Sequence, residues 1–128
     1  MEPREKILIV EDELSLLEAL GDKFRHEGFE SLVAKNGKEG LAVAIEKQPD
    51  LILLDIVMPV MDGMTMMRKL REHSEYGKHV PIILLTNLSA DDDTRMKSVA
   101  EYEPSFYLVK ADWTIDKVVE KVREVLKL

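Results

Sequence analysis

Asp50-Leu51-Ile52-Leu53-Leu54-Asp55 decides the fold, because four consecutive apolar residues end on a carboxylate. A short, unbroken apolar run is typical of a strand buried on both faces, as in a parallel sheet covered by helices. Asp55 would then stand at the carboxyl end of that strand, where open α/β sheets bind their ligands. The following residues, 56–63, contain Pro59 and an Asp-Gly pair, which indicate a tight loop. Asp55 is therefore a candidate for chemistry.

Strand and helix patterns alternate five times along the chain around this run. The predicted strands cover residues 6–10, 30–34, 51–54, 81–85 and 106–109. Apolar residues at helical spacing follow each strand; they are Leu16, Leu17, Leu20 and Phe24, then Leu41, Ala44 and Ile45, then Met66, Met67 and Leu70, then Met96, Val99 and Ala100, and finally Ile115, Val118, Val119, Val122 and Leu126. Such alternation with short connections predicts a parallel sheet with helices on both faces.

Length and composition indicate one domain with a packed core. The chain has 128 residues, of which 45% are hydrophobic, a size and composition that suit a single core. No linker or low-complexity segment interrupts the pattern, so we expect one domain over residues 1–128, with its core in 6–127 and no output domain.

Charge and cysteine content narrow the classes of partner. The net charge of −7 argues against direct binding of nucleic acid or an anionic membrane, since phosphate groups require clustered Lys and Arg. The absence of cysteine excludes disulfides and thiolate chemistry and is consistent with a reducing compartment. No apolar stretch approaches the ~20 residues of a membrane helix. We therefore expect a cytoplasmic protein without membrane insertion.

Polar side chains with complementary chemistry follow four of the five predicted strands. Glu11 and Asp12 follow the first strand, Asp55 the third, Thr86 the fourth and Lys110 the fifth. Because the carboxyl ends of parallel strands share one edge of the sheet, these groups are expected to converge. Taken singly, each has a simpler role: the acids as helix caps, the threonine as a hydroxyl bonded to backbone, and the lysine as a solvated charge.

Taken together, the set fits phosphoryl transfer. Clustered carboxylates repel one another, and a hard divalent cation such as Mg²⁺, which prefers oxygen ligands, relieves that repulsion. A carboxylate can act as a nucleophile towards phosphorus and form an aspartyl phosphate. The remaining requirement is neutralisation of charge on the phosphoryl oxygens, for which Lys110 and a hydrogen bond from Thr86 are suited.

The sequence resembles a receiver domain of the two-component response regulators, the CheY-like family. The resemblance extends from Ile7 to Leu126 and is carried by Glu11-Asp12, the stretch 53–63, Leu85-Thr86 and residues 107–110. It implies a flavodoxin-like three-layer α/β sandwich, with a five-stranded parallel sheet of order 2-1-3-4-5 and five helices.

The resemblance also implies a role for each acid. Asp55 resembles the phosphoacceptor, which is modified by a histidine kinase or a histidine phosphotransfer protein. Asp12 resembles the direct Mg²⁺ ligand, and Glu11 an acid that acts through metal-bound water. Asp55 and the backbone carbonyl of Val57 resemble further metal ligands.

Three more residues take their roles from the family pattern. Thr86 and Lys110 resemble the pair that holds the phosphoryl group. Tyr107 resembles the aromatic residue that swings inward when the threonine moves towards the phosphate. The resulting change would alter binding to an unidentified downstream protein, as in other phosphate switches.

The sequence departs from the family pattern near both ends of the site. Ala111 stands where the family usually has a proline, often with a cis bond; because a cis bond before alanine costs ~2.5–4 kcal/mol, we predict a trans bond. Val57 and Leu88 occupy the two positions that influence loss of phosphate in the family. Since neither side chain could orient a water molecule, we predict slow self-dephosphorylation.

Three functions remain open at this point. The first is a Mg²⁺-dependent phosphorylatable switch that assists its own modification without being a conventional turnover enzyme. The second is a phosphate-independent interaction module of the same fold. The third, a hydrolase of the haloacid dehalogenase type, is disfavoured because its second aspartate, two residues after the nucleophile, is here Val57.

Overall fold

The computed structural model describes residues 4–56, 58, 60–86, 106–109 and 114–128, with the backbone alone described for Thr86 and for 106–109. The strands are β1 (Lys6–Val10), β2 (Glu30–Ala34), β3 (Leu51–Asp55), β4 (Ile82–Thr86) and β5 (Phe106–Val109). Within the same residues, the helices are α1 (Leu14–His26), α2 (Gly37–Lys47), α3 (Gly63–His73), α4 (Glu75–His79) and α5 (Ile115–Leu126).

The five strands form one parallel sheet in the order β2-β1-β3-β4-β5. Strands β1 and β3 lie at its centre, with Ile9 in register with Leu53. Strand β4 continues the sheet, with Ile83 in register with Leu53. The predicted flavodoxin-like architecture, its parallel sheet and its strand order are confirmed.

Both faces of the sheet are covered by helices, because the side chains of each strand alternate between the two faces. One face packs against α2 and α3 through Leu8, Val10, Ile52, Leu54, Ile82 and Leu84. The other face packs against α1 and α5 through Ile7, Ile9, Leu51, Leu53, Ile83 and Leu85. All of these side chains are fully buried, which explains why the strands read as continuous apolar runs.

The helix between α3 and β4 was not predicted. Helix α4 has only five residues and no apolar repeat. Ser74 forms its N-cap by accepting the Gly77 N–H at 3.1 Å. At its other end, Arg71 Nη1 donates to the carbonyls of Gly77 and Val80 at 2.9 and 2.6 Å. The helix therefore depends on contacts with α3.

The predicted helix around Met96, Val99 and Ala100 lies outside the described residues. The N-cap of α5 is Thr114, whose Oγ1 accepts the Lys117 N–H at 3.3 Å. Among the helices that the structure describes, none is long and apolar enough to cross a bilayer.

Candidate functional site

Three carboxylates meet at the carboxyl end of the sheet. One carboxylate oxygen from each of Glu11, Asp12 and Asp55 lies within 4.8 Å of the others. Glu11 directly follows β1, and Asp55 is the last residue of β3. The predicted convergence of these three acids is confirmed.

The register of the two central strands explains why these acids meet. Val10 is in register with Leu54, so that Glu11 and Asp55 occupy the next positions on adjacent parallel strands. The Glu11 N–H donates to the Ala34 carbonyl at 3.1 Å, which extends the pairing of β1 with β2 by one residue. The two acids are thus positioned by the sheet itself.

The cluster combines burial with like charge. Glu11 is 1% exposed and Asp55 is 4% exposed, and they are the only buried polar or charged residues within the described part of the chain; Asp12 is exposed. Glu11 Oε1 also accepts the backbone N–H of Glu13, the N-cap of α1, at 3.4 Å, so Glu11 bonds the start of the helix as well as lying in the cluster. Two buried carboxylates beside an exposed one offer several oxygens to a hard cation from the solvent side. This donor set fits Mg²⁺, which takes oxygen ligands and keeps several waters.

The described residues after Asp55 form a loop that returns immediately to the strand end. The Gly63 N–H donates to the Ile56 carbonyl at 2.8 Å. A Cβ atom at Gly63 would lie 2.1 Å from the Asp55 carbonyl oxygen, so only glycine lets α3 begin this close to the strand. Asp62 forms the N-cap of α3 by accepting the Thr65 N–H at 2.8 Å. The predicted Asp-Gly turn is therefore the start of a helix that abuts Asp55.

The other predicted site residues fall wholly or partly outside the described set. Thr86 ends β4, the neighbour of β3 in the sheet, and Tyr107 lies in β5, but the side chains of both are outside the description. Val57 and Lys110 lie outside the described residues altogether, as do Leu88 and the peptide bond before Ala111. Their assigned roles remain predictions.

One residue near the site was missed by sequence reasoning. Gly37, the first residue of α2, donates its N–H to the Met61 carbonyl at 3.0 Å. Asn36 precedes it and caps α2 by accepting the Glu39 N–H at 2.9 Å. The signal that could have identified it is the glycine after Asn36, because glycine also occurs where two backbone segments approach closely.

Comparisons with known proteins agree with this geometry. The family described as the response regulator receiver domain matches residues 7–123. Among sequence relatives, the DNA-binding response regulator MtrA of Mycolicibacterium paratuberculosis is 42% identical over 83 residues, which cover 65% of this chain and 35% of that protein. The chain spans about a third to a half of the length of the curated relatives it matches.

Solved structures show the same fold over nearly the whole chain. The chemotaxis response regulator CheY4 of Vibrio cholerae superposes with a TM-score of 0.85 at 27% identity, covering 95% of this chain and 98% of that one. The response regulator TrrA of Thermotoga maritima, in complex with Mg(2+)-BeF, has a TM-score of 0.78 at 33% identity, covering 94% of this chain and 98% of that one.

Proposed function

Because the chain belongs to the response regulator receiver domain family, we propose that it is a phosphorylatable switch in which Asp55 accepts a phosphoryl group from phosphohistidine. The observation that carries the proposal is the clustering of Glu11, Asp12 and Asp55 at one strand end. The donor would be a histidine kinase or a histidine phosphotransfer protein.

The proposed step is a single displacement at phosphorus. A carboxylate oxygen of Asp55 forms a bond to phosphorus while the P–N bond of phosphohistidine breaks. The electron pair of that bond leaves with the imidazole nitrogen, which then takes a proton. Asp55 is suited to this role because β3 is buried along its length, so that the carboxylate is held in place before the donor arrives, as catalysis by positioning requires.

Glu11, Asp12, Asp55 and the Val57 carbonyl would hold a divalent cation in this proposal. When bound, Mg²⁺ would neutralise negative charge on the phosphoryl oxygens and between the clustered carboxylates. The proposal is supported by the carboxylate oxygens of Glu11, Asp12 and Asp55 that lie within 4.8 Å of one another and by the Mg²⁺ in the TrrA complex.

Thr86 and Lys110 complete the proposed site. The Thr86 hydroxyl would hydrogen-bond a phosphoryl oxygen, and the Lys110 ammonium would pair with the phosphoryl charge. Hydrogen bonds between charged groups are stronger than those between neutral groups. Tyr107 would respond to movement of Thr86 and so change the surface that the downstream protein recognises. The reaction is stoichiometric, so the protein is proposed to be a switch and not a conventional turnover enzyme.

The proposed partners are proteins. A net charge of −7 supports the expectation that this domain does not itself contact nucleic acid. A relative named as a DNA-binding response regulator is 35% covered by this chain, so the DNA binding in its name is not transferred to this domain. We also propose a cytoplasmic location, with which the absence of cysteine from the sequence is consistent.

Intact mass spectrometry after incubation with acetyl phosphate and Mg²⁺ tests the proposal. We expect a gain of one phosphoryl group, which disappears with EDTA and in Asp55→Asn. Asp62→Asn is the matched control, because it removes one charge from the same loop while asparagine also caps a helix; it should be modified as the natural protein is. No mass gain in the natural protein would instead support the phosphate-independent module.

The lifetime of the modified protein tests the predicted slow dephosphorylation. After removal of the donor, we expect the phosphorylated form to decay over many minutes, because Val57 and Leu88 offer no group to orient water. Introducing a polar side chain with Leu88→Asn should shorten the lifetime. A half-life of seconds in the natural protein would contradict the prediction.

A further inference from the structure

We propose that Gly37 is a positioning residue for the acidic site, acting through the backbone of the loop that follows Asp55. Glycine has no side chain that could contact the carboxylates, so its effect on them would be transmitted through Met61. The consequence for phosphorylation rests on the function proposed above, whereas the structural part can be tested separately.

The first step is the contact between α2 and this loop. The Gly37 N–H donates to the Met61 carbonyl at 3.0 Å. A Cβ atom at position 37 would lie 2.2 Å from the Met61 oxygen and 3.1 Å from the Asp62 oxygen, whereas ordinary contact begins at 3.4 Å. Any other residue would force α2 and the loop apart by more than an ångström, and the obstacle is backbone, which cannot rotate away.

The second step connects Met61 to Asp55. Only Asp62 separates Met61 from Gly63, whose N–H donates to the Ile56 carbonyl at 2.8 Å. Gly63 also approaches the Asp55 carbonyl so closely that a Cβ atom would lie 2.1 Å from it. A displacement of Met61 would therefore reach Asp55 and its neighbour through two rigid backbone contacts.

The third step is the conformation of Val60. Its φ is +70°, in the left-handed region that is exceptional for a β-branched residue. Its side chain is 78% exposed, so side-chain burial does not hold it there. Such a conformation persists where the surrounding structure over-determines it. The bonds from Gly37 to Met61 and from Gly63 to Ile56 bracket Val60 and supply that restraint.

Loss of the restraint would change the site more than the fold. Catalytic groups need to be held to within about 0.5 Å of productive geometry, and a misplacement of about 1 Å can cost on the order of 100-fold in rate. We expect Gly37→Ala to lower the phosphorylation rate by roughly 10- to 100-fold and to weaken Mg²⁺ binding.

Gly40→Ala is the matched control. Gly40 lies on the same helix, but a Cβ atom there would lie 2.8 Å from Val10 Cγ2 and 3.0 Å from Met66 Sδ. The change therefore strains the core while leaving the Met61 contact in place. Comparing the two variants separates loss of stability from loss of positioning.

The experiment is amide hydrogen exchange by NMR, followed by Mg²⁺ titration of the same samples. In Gly37→Ala we expect the Gly63 amide to exchange about tenfold faster, the equivalent of one backbone hydrogen bond, and the Mg²⁺ dissociation constant to rise. Gly40→Ala should change exchange uniformly and leave the dissociation constant within about twofold, the scatter of independent sites.

Two outcomes distinguish this inference from the proposed function. Unchanged Gly63 exchange and unchanged Mg²⁺ affinity in Gly37→Ala would overturn the positioning role, even if the natural protein is phosphorylated. If Gly63 exchange and Mg²⁺ affinity change as expected while acetyl phosphate modifies no variant, the positioning role stands and the proposed phosphorylation fails.

Discussion

Asp55→Asn should make the protein more stable when no divalent cation is present. The substitution removes one negative charge from a site where Glu11, Asp12 and Asp55 approach within 4.8 Å. Asparagine keeps the size and shape of the side chain, so packing around β3 changes little. The substitution therefore tests the effect of charge alone. That effect is large because the side chain is only 4% exposed and water screens its charge poorly.

The magnitude follows from the separation of the carboxylates. Two unit charges no more than 4.8 Å apart repel by at least about 3.5 kcal/mol at an effective dielectric constant of about 20. Asp12 is exposed, so its share is screened, and the Glu13 N–H that donates to Glu11 Oε1 at 3.4 Å offsets part of the repulsion. We therefore expect a net gain of about 1–2 kcal/mol in the free energy of unfolding.

Urea unfolding followed by circular dichroism, in EDTA, measures this gain. With a slope of about 2 kcal/mol per molar urea, the middle of the usual range for small proteins, the midpoint of Asp55→Asn should rise by roughly 0.5–1 M. Mg²⁺ should then stabilise the natural protein, by about 2.7 kcal/mol at a hundred times the dissociation constant. The variant should gain less, because it has lost one charged ligand.

Asp62→Asn is the control, because it removes the same single negative charge as Asp55→Asn. This residue caps α3 from an exposed position, and its substitution should change stability by less than about 1 kcal/mol. The reasoning would be refuted if Asp55→Asn were no more stable than the natural protein in EDTA, or if Mg²⁺ stabilised both proteins equally.

Three further substitutions test other parts of the structure. Val60→Gly should raise the free energy of unfolding by about 0.5–1 kcal/mol. The left-handed conformation costs an L-residue roughly 1–2 kcal/mol, and the greater conformational freedom of glycine in the unfolded chain reduces the gain from relieving it. A lower free energy of unfolding in urea would show that the valine side chain is needed. Tyr76→Phe should cost about 1 kcal/mol at neutral pH, because Tyr76 Oη donates to the Pro49 carbonyl at 2.6 Å. Burial, followed by the negative charge of Asp50, raises the pKa of the Tyr76 hydroxyl above its ordinary value of 10.0. Tyr76 therefore ionises first in the unfolded chain, and the natural protein loses this stability as the pH rises above about 10. The difference in free energy of unfolding between the two proteins should be smaller at pH 10.5 than at pH 8, and a constant difference would contradict this. Thr114→Ala should lower stability by about 1 kcal/mol through loss of the α5 cap, whereas Thr114→Ser should not, and equal losses in thermal unfolding would exclude a capping role.

The strands and the long helices were predictable because their buried residues form short apolar runs or recur at helical spacing in the sequence. The central strand was predicted over 51–54 and is observed at Leu51–Asp55. Helix α5 was predicted from the spacing of its apolar residues, and Val118, Val119 and Val122 form the expected buried face. The convergence of Glu11, Asp12 and Asp55 followed from one topological rule about parallel strands.

Helix α4 could not be predicted, because the contacts that stabilise it leave no apolar repeat in the sequence. Its five residues contain no apolar repeat, and a helix this short is unstable by itself. Arg71 on α3 supplies two hydrogen bonds to its carbonyls, and Gly77 packs where a Cβ atom would lie 1.9 Å from the Leu70 oxygen. Neither contact has a signature in a pattern of apolar and polar residues.

The site is thus held by two kinds of structure that should respond differently to substitution. Glu11 and Asp55 extend β1 and β3, whose fully buried side chains belong to both core layers, so a change that moves these strands lowers the stability of the whole domain. The described part of the loop after Asp55 is also fixed by backbone contacts at Gly37 and Gly63. Loss of one such hydrogen bond costs about 1 kcal/mol of global stability, while it displaces the edge that carries the acids. Variants with low Mg²⁺ affinity and nearly normal stability should therefore concentrate in this loop and at the start of α2, and not in the strands that carry the acids.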